Sequence, residues 1–211
     1  MQQAVFSLKV LGMGLAAALA LVPVTASAQT VAALPTPRMS LDVLGAAKPL
    51  AAWIDFCQAY ATECAVDTAE PTRIVLTPAV WSMVNAVNRR INRSIEAVTD
   101  PEHWGRPDHW DLAEDGRGDC EDFQLLKRRL LADAGLPRRA MRMTVVIDEK
   151  GEGHAVLTLL TDRGEFILDN KTSAVLSWQE TGYTFIKRES QEAVAWVSLG
   201  GVTPPTTTAN R

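Results

Sequence analysis

The chain has 211 residues with 21 basic and 25 acidic side chains, a formal net charge of −4, and a composition 47% hydrophobic and 22% charged. The acidic balance argues against nucleic acid as a partner, and the composition is that of an ordinary globular chain, not a disordered one. No internal repeat is visible.

Lys9 precedes an apolar run from Val10 to Val22, and Ala26-Ser27-Ala28 is the small-x-small pattern cut by signal peptidase. The run is shorter than a comfortable bilayer span, so residues 1–28 read as a signal peptide and the product as exported, with no stable membrane insertion. Lys9 is the only charge among the first 28 residues, so the remaining 183 carry 20 basic and 25 acidic groups, a net charge of −5. Residues 29–48 read as a flexible N-terminal segment, 49–200 as a single domain, and the Thr-Pro-rich 201–211 as a loose tail.

Leu50–Tyr60 shows helical spacing through Trp53, Phe56 and Tyr60. Cys57 and Cys64 follow at its end; they either form a small staple in an oxidising compartment, which leaves Cys120 as an odd thiol, or Cys57 is simply a small apolar residue on a helix face. A second helix is expected from Pro78 to about Val98. Thr77 caps it, Pro78 suits its first position, and Trp81, Val84, Val87, Ile91 and Ile95 recur on one side. Its polar side, with Asn85, Arg89, Arg90, Asn92 and Arg93, reads as a solvated face. Residues 99–118 lack periodicity and read as a loop whose Trp104 and Trp110 either wall a cleft or cover the core. His103 and His109 have no accompanying ligand pair at structural zinc spacing.

The next helix starts at Gly118-Asp119, carries Phe123, Leu126, Leu130 and Ala134 as its buried stripe, and stops at Gly135 with Pro137. Cys120 therefore sits in the first turn, where the helix dipole and free N–H groups favour a thiolate and offer part of an oxyanion hole. Asp119, Glu121 and Asp122 crowd it with negative charge, which raises a thiol pKa. Two readings remain open: a bound Ca²⁺ neutralises the three carboxylates, or Asp119 and Asp122 form a shortened capping box.

Met141–Ile147, His154–Leu160 and Glu165–Asp169 read as strands, the last two forming a hairpin. With an even connection centred on Asp162-Arg163, Val156 faces Asp169 and His154 faces Lys171. His154 and Asp169 are then diagonal neighbours on one face, roughly 7–8 Å apart at Cβ; a three-residue loop separates them. A thiol, an imidazole and a carboxylate are the groups that covalent catalysis needs as nucleophile, base and orienter.

The run Gly116-Arg117-Gly118-Asp119-Cys120-Glu121-Asp122-Phe123, with Lys127, His154-Ala155-Val156-Leu157 and Leu168-Asp169-Asn170, resembles the bacterial transglutaminase-like cysteine peptidases, which include periplasmic LapG-type proteases. Asp108-His109-Trp110 and Tyr183-Thr184-Phe185 extend the resemblance, whereas Phe123-Gln124 departs from the Tyr-Ala usual there. The resemblance implies an α+β, papain-like or transglutaminase-like core with the nucleophile at a helix N-terminus packed on an antiparallel sheet. It implies Cys120 as nucleophile, His154 as base and Asp169 as orienter, with Ca²⁺ held by Asp119, Glu121 and Asp122. A protein substrate such as a cell-surface adhesin and a regulatory membrane receptor are the partners it implies, in the periplasm. The alternatives are a transglutaminase delivering an amine to the same acyl-enzyme, and a calcium-responsive binding protein with a vestigial triad.

Overall fold

A computed structural model describes residues 34–35 and 40–201. The expected signal peptide, residues 29–33 and 36–39 of the N-terminal segment and residues 202–211 of the tail lie outside the described residues.

The described chain begins with strand β1 (Ala46–Ala47) and helices α1 (Ala51–Ala59) and α2 (Ala61–Cys64). Cys57 and Cys64 are joined by a disulfide with Cα atoms 5.5 Å apart, which settles the first ambiguity in favour of the staple. Helix α3 (Pro78–Ser94) starts as its sequence dictates, with Thr77 Oγ1 accepting the Val80 N–H at 3.2 Å. It ends four residues before the expected Val98, because the following backbone is taken by a ladder. Strand β2 (Glu96–Ala97) pairs in parallel with β3 (Arg117–Gly118). The inward stripe of α3 also differs: Val84 and Ile91 are buried with Asn88, while Trp81, Val87 and Ile95 are half-buried.

The 99–118 segment is not structureless. Helix α4 (Asp100–His103) follows Thr99, whose N–H and hydroxyl both donate to Glu102 Oε2, at 3.3 and 2.9 Å. The Thr99-x-x-Glu102 spacing with Pro101 was a legible start signal. Of the two loop tryptophans, Trp110 is buried against Trp196 in the core and Trp104 remains exposed.

Helix α5 (Cys120–Asp133) is the central element. Its burial is wider than a stripe: Phe123, Gln124, Leu125, Lys127, Arg128 and Leu131 are all buried, whereas Leu126 and Leu130 are half-buried and Ala134 is exposed. The difference arises because α5 packs against α3 as well as the sheet, so Lys127 and Arg128 face protein. Strands β4 (Met141–Ile147), β5 (Gly153–Thr161), β6 (Gly164–Leu168), β7 (Leu176–Ser177), β8 (Thr184–Glu189) and β9 (Trp196–Ser198) complete a seven-stranded antiparallel sheet of order β1-β9-β8-β4-β5-β6-β7. Leu125 and Leu131 of α5 join Met141, Met143, Ala155, Leu157 and Leu159 in the main core, while Val146, Val156, Ile167 and Phe185 form a smaller cluster. Arg128 is neutralised there: Glu189 accepts from Arg128 Nη1 at 2.5 Å, Trp53 Nε1 at 2.7 Å and the Met143 N–H at 3.0 Å. The chain is thus α+β, with the Cys120 end of a buried helix packed on an antiparallel sheet.

Candidate active site

Gly118 and Asp122 set the start of α5. A Cβ on Gly118 would lie 2.6 Å from Asp122 Oδ2 and 2.8 Å from Asp122 Cβ, so only glycine fits. That approach lets Asp122 Oδ2 accept the Asp119 N–H at 3.2 Å while its Oδ1 accepts the Asp111 N–H at 2.8 Å. Asp122 thus faces back as a capping box requires. Both side-chain oxygens of Asp119 are nevertheless buried without a hydrogen-bond partner, as are Asp100 Oδ1 and Glu121 Oε1.

These orphaned oxygens converge. Ligand atoms of Asp100, Asp119 and Asp122 lie within 4.8 Å of one another, and so do those of Asp100, Asp108 and Glu121 and of Asp119, Cys120 and Glu121. Burial, followed by charge from its neighbours, pushes Asp119 up to about 7 and Glu121 and Asp122 well above the usual carboxylate range. Unpaired buried carboxylates are too costly to stay ionised alone, so the cluster is either protonated or matched by a cation. Its hard oxygens suit Ca²⁺. Asp100 and Asp108 escape the sequence reading because they are far from Cys120 along the chain; α4 and the loop after it bring them in.

Cys120 is fully buried, and its thiol donates to Glu121 Oε2 at 3.1 Å. Burial, then the charges of Glu121 and Asp119, raises the thiol well above its ordinary range, while the Ala155 N–H against the sulfur works in the other direction. Ala155 immediately follows His154 on β5.

The β5–β6 hairpin turns on the two residues Asp162-Arg163, since Thr161 pairs with Gly164, and the ladder runs to Leu157 opposite Leu168. Continued one step, this register sets Val156 opposite Asp169, the even-connection case. His154 Nε2 and Asp169 Oδ1 are 2.8 Å apart. With Nε2–H given to the carboxylate, His154 Nδ1 is left buried and without a hydrogen bond. Asp169 Oδ1 also accepts the Lys171 N–H at 3.0 Å, and Oδ2 accepts the Tyr183 hydroxyl at 2.6 Å. The Tyr183 ring stands edge-on to the His154 ring, with centroids 5.9 Å apart. Burial works against ionisation of Asp169, but the hydrogen bonds from His154 and Tyr183 outweigh it and hold the carboxyl below its usual range. Tyr183 is the neighbour that periodicity gave no means of placing. His103 is engaged elsewhere, its Nε2 2.7 Å from Asp115 Oδ2.

Among the described residues no helix is long and apolar enough to cross a membrane. No curated protein matches the sequence. Solved structures of Legionella pneumophila LapG are similar. One is 27% identical, covering 52% of this chain and 64% of that one, with a TM-score of 0.46; the calcium-bound form is 23% identical, covering 62% and 75%, with a TM-score of 0.50. An EGTA-treated form is 26% identical, covering 56% and 67%, with a TM-score of 0.49. The chain therefore spans 64% of the length of the first of these, and the calcium-bound form supports the shared fold. The family model for bacterial transglutaminase-like cysteine proteinases matches residues 43–203, most of the chain, and with the α+β core built around Cys120 the protein belongs to that family of cysteine peptidases.

Proposed function

We propose that the protein is an exported thiol peptidase in which Cys120, His154 and Asp169 act as nucleophile, base and orienter. The observation that carries this reading is the imidazole of His154: Nε2 is committed to Asp169 at 2.8 Å, Nδ1 is buried without a hydrogen bond, and the next residue's N–H lies against the Cys120 sulfur. His154 Nδ1 takes the thiol proton, the thiolate attacks the scissile carbonyl carbon, and the Cys120 backbone N–H at the helix start stabilises the oxyanion. Collapse expels the amine, which takes its proton from His154. Water, deprotonated by the same nitrogen, then attacks the thioester and frees the acid and the thiol. Because the sulfur is fully buried, turnover requires an opening over it.

Asp119, Glu121 and Asp122, joined by Asp100 and Asp108, are the residues that would hold Ca²⁺. The bound ion would supply charge compensation beside the thiol, offsetting the carboxylates that otherwise oppose thiolate formation. The substrate class is a protein, with a cell-surface adhesin and a membrane receptor as the partners the family resemblance suggests. The setting is the periplasm, reached through residues 1–28. Incubating outer-surface proteins with the wild type and with Cys120→Ala, then mapping new termini, tests the reading. New N-termini confined to the wild type support hydrolysis; identical patterns reject it in favour of the binding protein, and amine incorporation without new termini assigns the transglutaminase reaction.

A further inference from the structure

The hairpin ladder ends at Leu157 opposite Leu168, one residue before Asp169, so strand pairing does not hold the backbone that carries the orienting carboxylate. Side chains from two helices take over. The Asp169 carbonyl accepts Lys127 Nζ from α5 at 3.0 Å and Asn92 Nδ2 from α3 at 2.8 Å. Asn92 Nδ2 also reaches the Thr172 carbonyl at 3.0 Å, and Asn88 Nδ2 reaches the carbonyls of Thr172 and Ser173 at 3.4 and 3.2 Å. Lys127 is fully buried, gives its remaining strong contact to Gln124 Oε1 at 3.2 Å, and lies over the Phe123 ring at 5.9 Å. Burial pushes its amine down to about 7. A buried amine is a costly way to fill space that a methionine would fill without desolvating a charge.

We propose that Lys127 is a positioning residue: from the nucleophile's own helix it holds the Asp169 carbonyl and, with Asn92, fixes the turn that aims the Asp169 carboxylate at His154. Cys120 and Lys127 lie about two turns apart on one rigid helix, so this link ties the orienter to the element that carries the nucleophile. The inference rests on Asp169 orienting His154 as proposed above.

The test is the ¹⁵N spectrum of the histidine rings together with the rate at which Cys120 is acylated by p-nitrophenyl acetate. Lys127→Met keeps the length of the side chain and removes its donors. It should move the ring nitrogens of His154 away from their wild-type shifts while leaving those of His103 and His109 in place, and should slow acylation about tenfold. Asn92→Ala, at a half-buried site on α3, should move the same signals in the same direction, so the test survives if Lys127→Met fails to fold. The double variant should lose less than the product of the two single losses, because both side chains act on one carbonyl. Wild-type His154 shifts and an unchanged rate in both variants would overturn the proposal. Failure of the peptidase reading is a separate result: His154→Ala would then leave Cys120 reactivity intact, whatever the ring shifts show.

Discussion

Replacing Asp169 with Asn and with Ala separates orientation from charge at the candidate triad. Asp169 Oδ1 receives two N–H groups, His154 Nε2 at 2.8 Å and the Lys171 backbone at 3.0 Å, while Oδ2 receives the Tyr183 hydroxyl at 2.6 Å. In Asp169→Asn the amide oxygen is held at the Oδ1 position, because an NH₂ group there would meet the Lys171 N–H. The NH₂ falls instead on Tyr183, whose hydroxyl can turn to accept it. His154 keeps its Nε2–H tautomer and loses only the charge on its partner. A hydrogen bond to a charged acceptor is worth about 1.5–3 kcal/mol and a neutral one about 0.5–1.5, so the difference is about 1–1.5 kcal/mol, or roughly tenfold in rate. Asp169→Ala removes the acceptor for all three donors and frees the ring to turn. Acylation of Cys120 should then fall by about a hundredfold or more, and stability by about 2–4 kcal/mol. The nitrophenolate burst and urea unfolding measure the two quantities. Equal losses in Asn and Ala, or an Ala variant as fast as wild type, would rule out this division between orientation and charge.

The acidic cluster predicts an inverted pH dependence. Asp119 stands at about 7 against a reference of 3.8, and a folded-state pKa above the unfolded one gives stability that is present at low pH and lost as pH rises through the folded value. Metal-free protein should therefore melt at a lower temperature at pH 8 than at pH 5, with saturating Ca²⁺ removing the difference; calorimetry showing a flat metal-free profile and no response to Ca²⁺ would contradict this. Breaking the Cys57–Cys64 disulfide, which joins residues seven apart, should cost about 2–3 kcal/mol, read as a lower urea midpoint in Cys57→Ala/Cys64→Ala; an unchanged midpoint would contradict it. Gly118→Ala drives a methyl into Asp122 and should cost about 1–3 kcal/mol while weakening Ca²⁺ binding in titration calorimetry; wild-type stability and affinity would show that the close approach is not needed.

The parts of the fold that follow local rules were legible in the sequence. Thr77-Pro78 starts α3 and Met141–Ile147 is the strand expected, whereas the sequence left two hairpin registers open and the two-residue turn Asp162-Arg163 selects the one that brings Asp169 to His154. Periodicity failed where tertiary packing replaced solvent. Helix α5 is enclosed by the sheet and by α3, so Lys127 and Arg128 are buried and no single stripe describes it. Helix α3 ends before its sequence pattern does because residues 96–98 pair with the chain just before Cys120, a contact that no window along α3 contains. For the same reason the carboxylates flanking Cys120 were readable, whereas Asp100 and Asp108 needed the fold to join them.

Proton transfer from Cys120 to His154 underlies the proposed reaction. Its most direct measurement is the second-order rate of Cys120 alkylation by iodoacetamide between pH 5 and 9, in wild type and in His154→Ala, both with saturating Ca²⁺. The wild-type rate should be about a hundredfold higher near neutrality, with the variant gaining reactivity only at high pH. Superimposable profiles would contradict it.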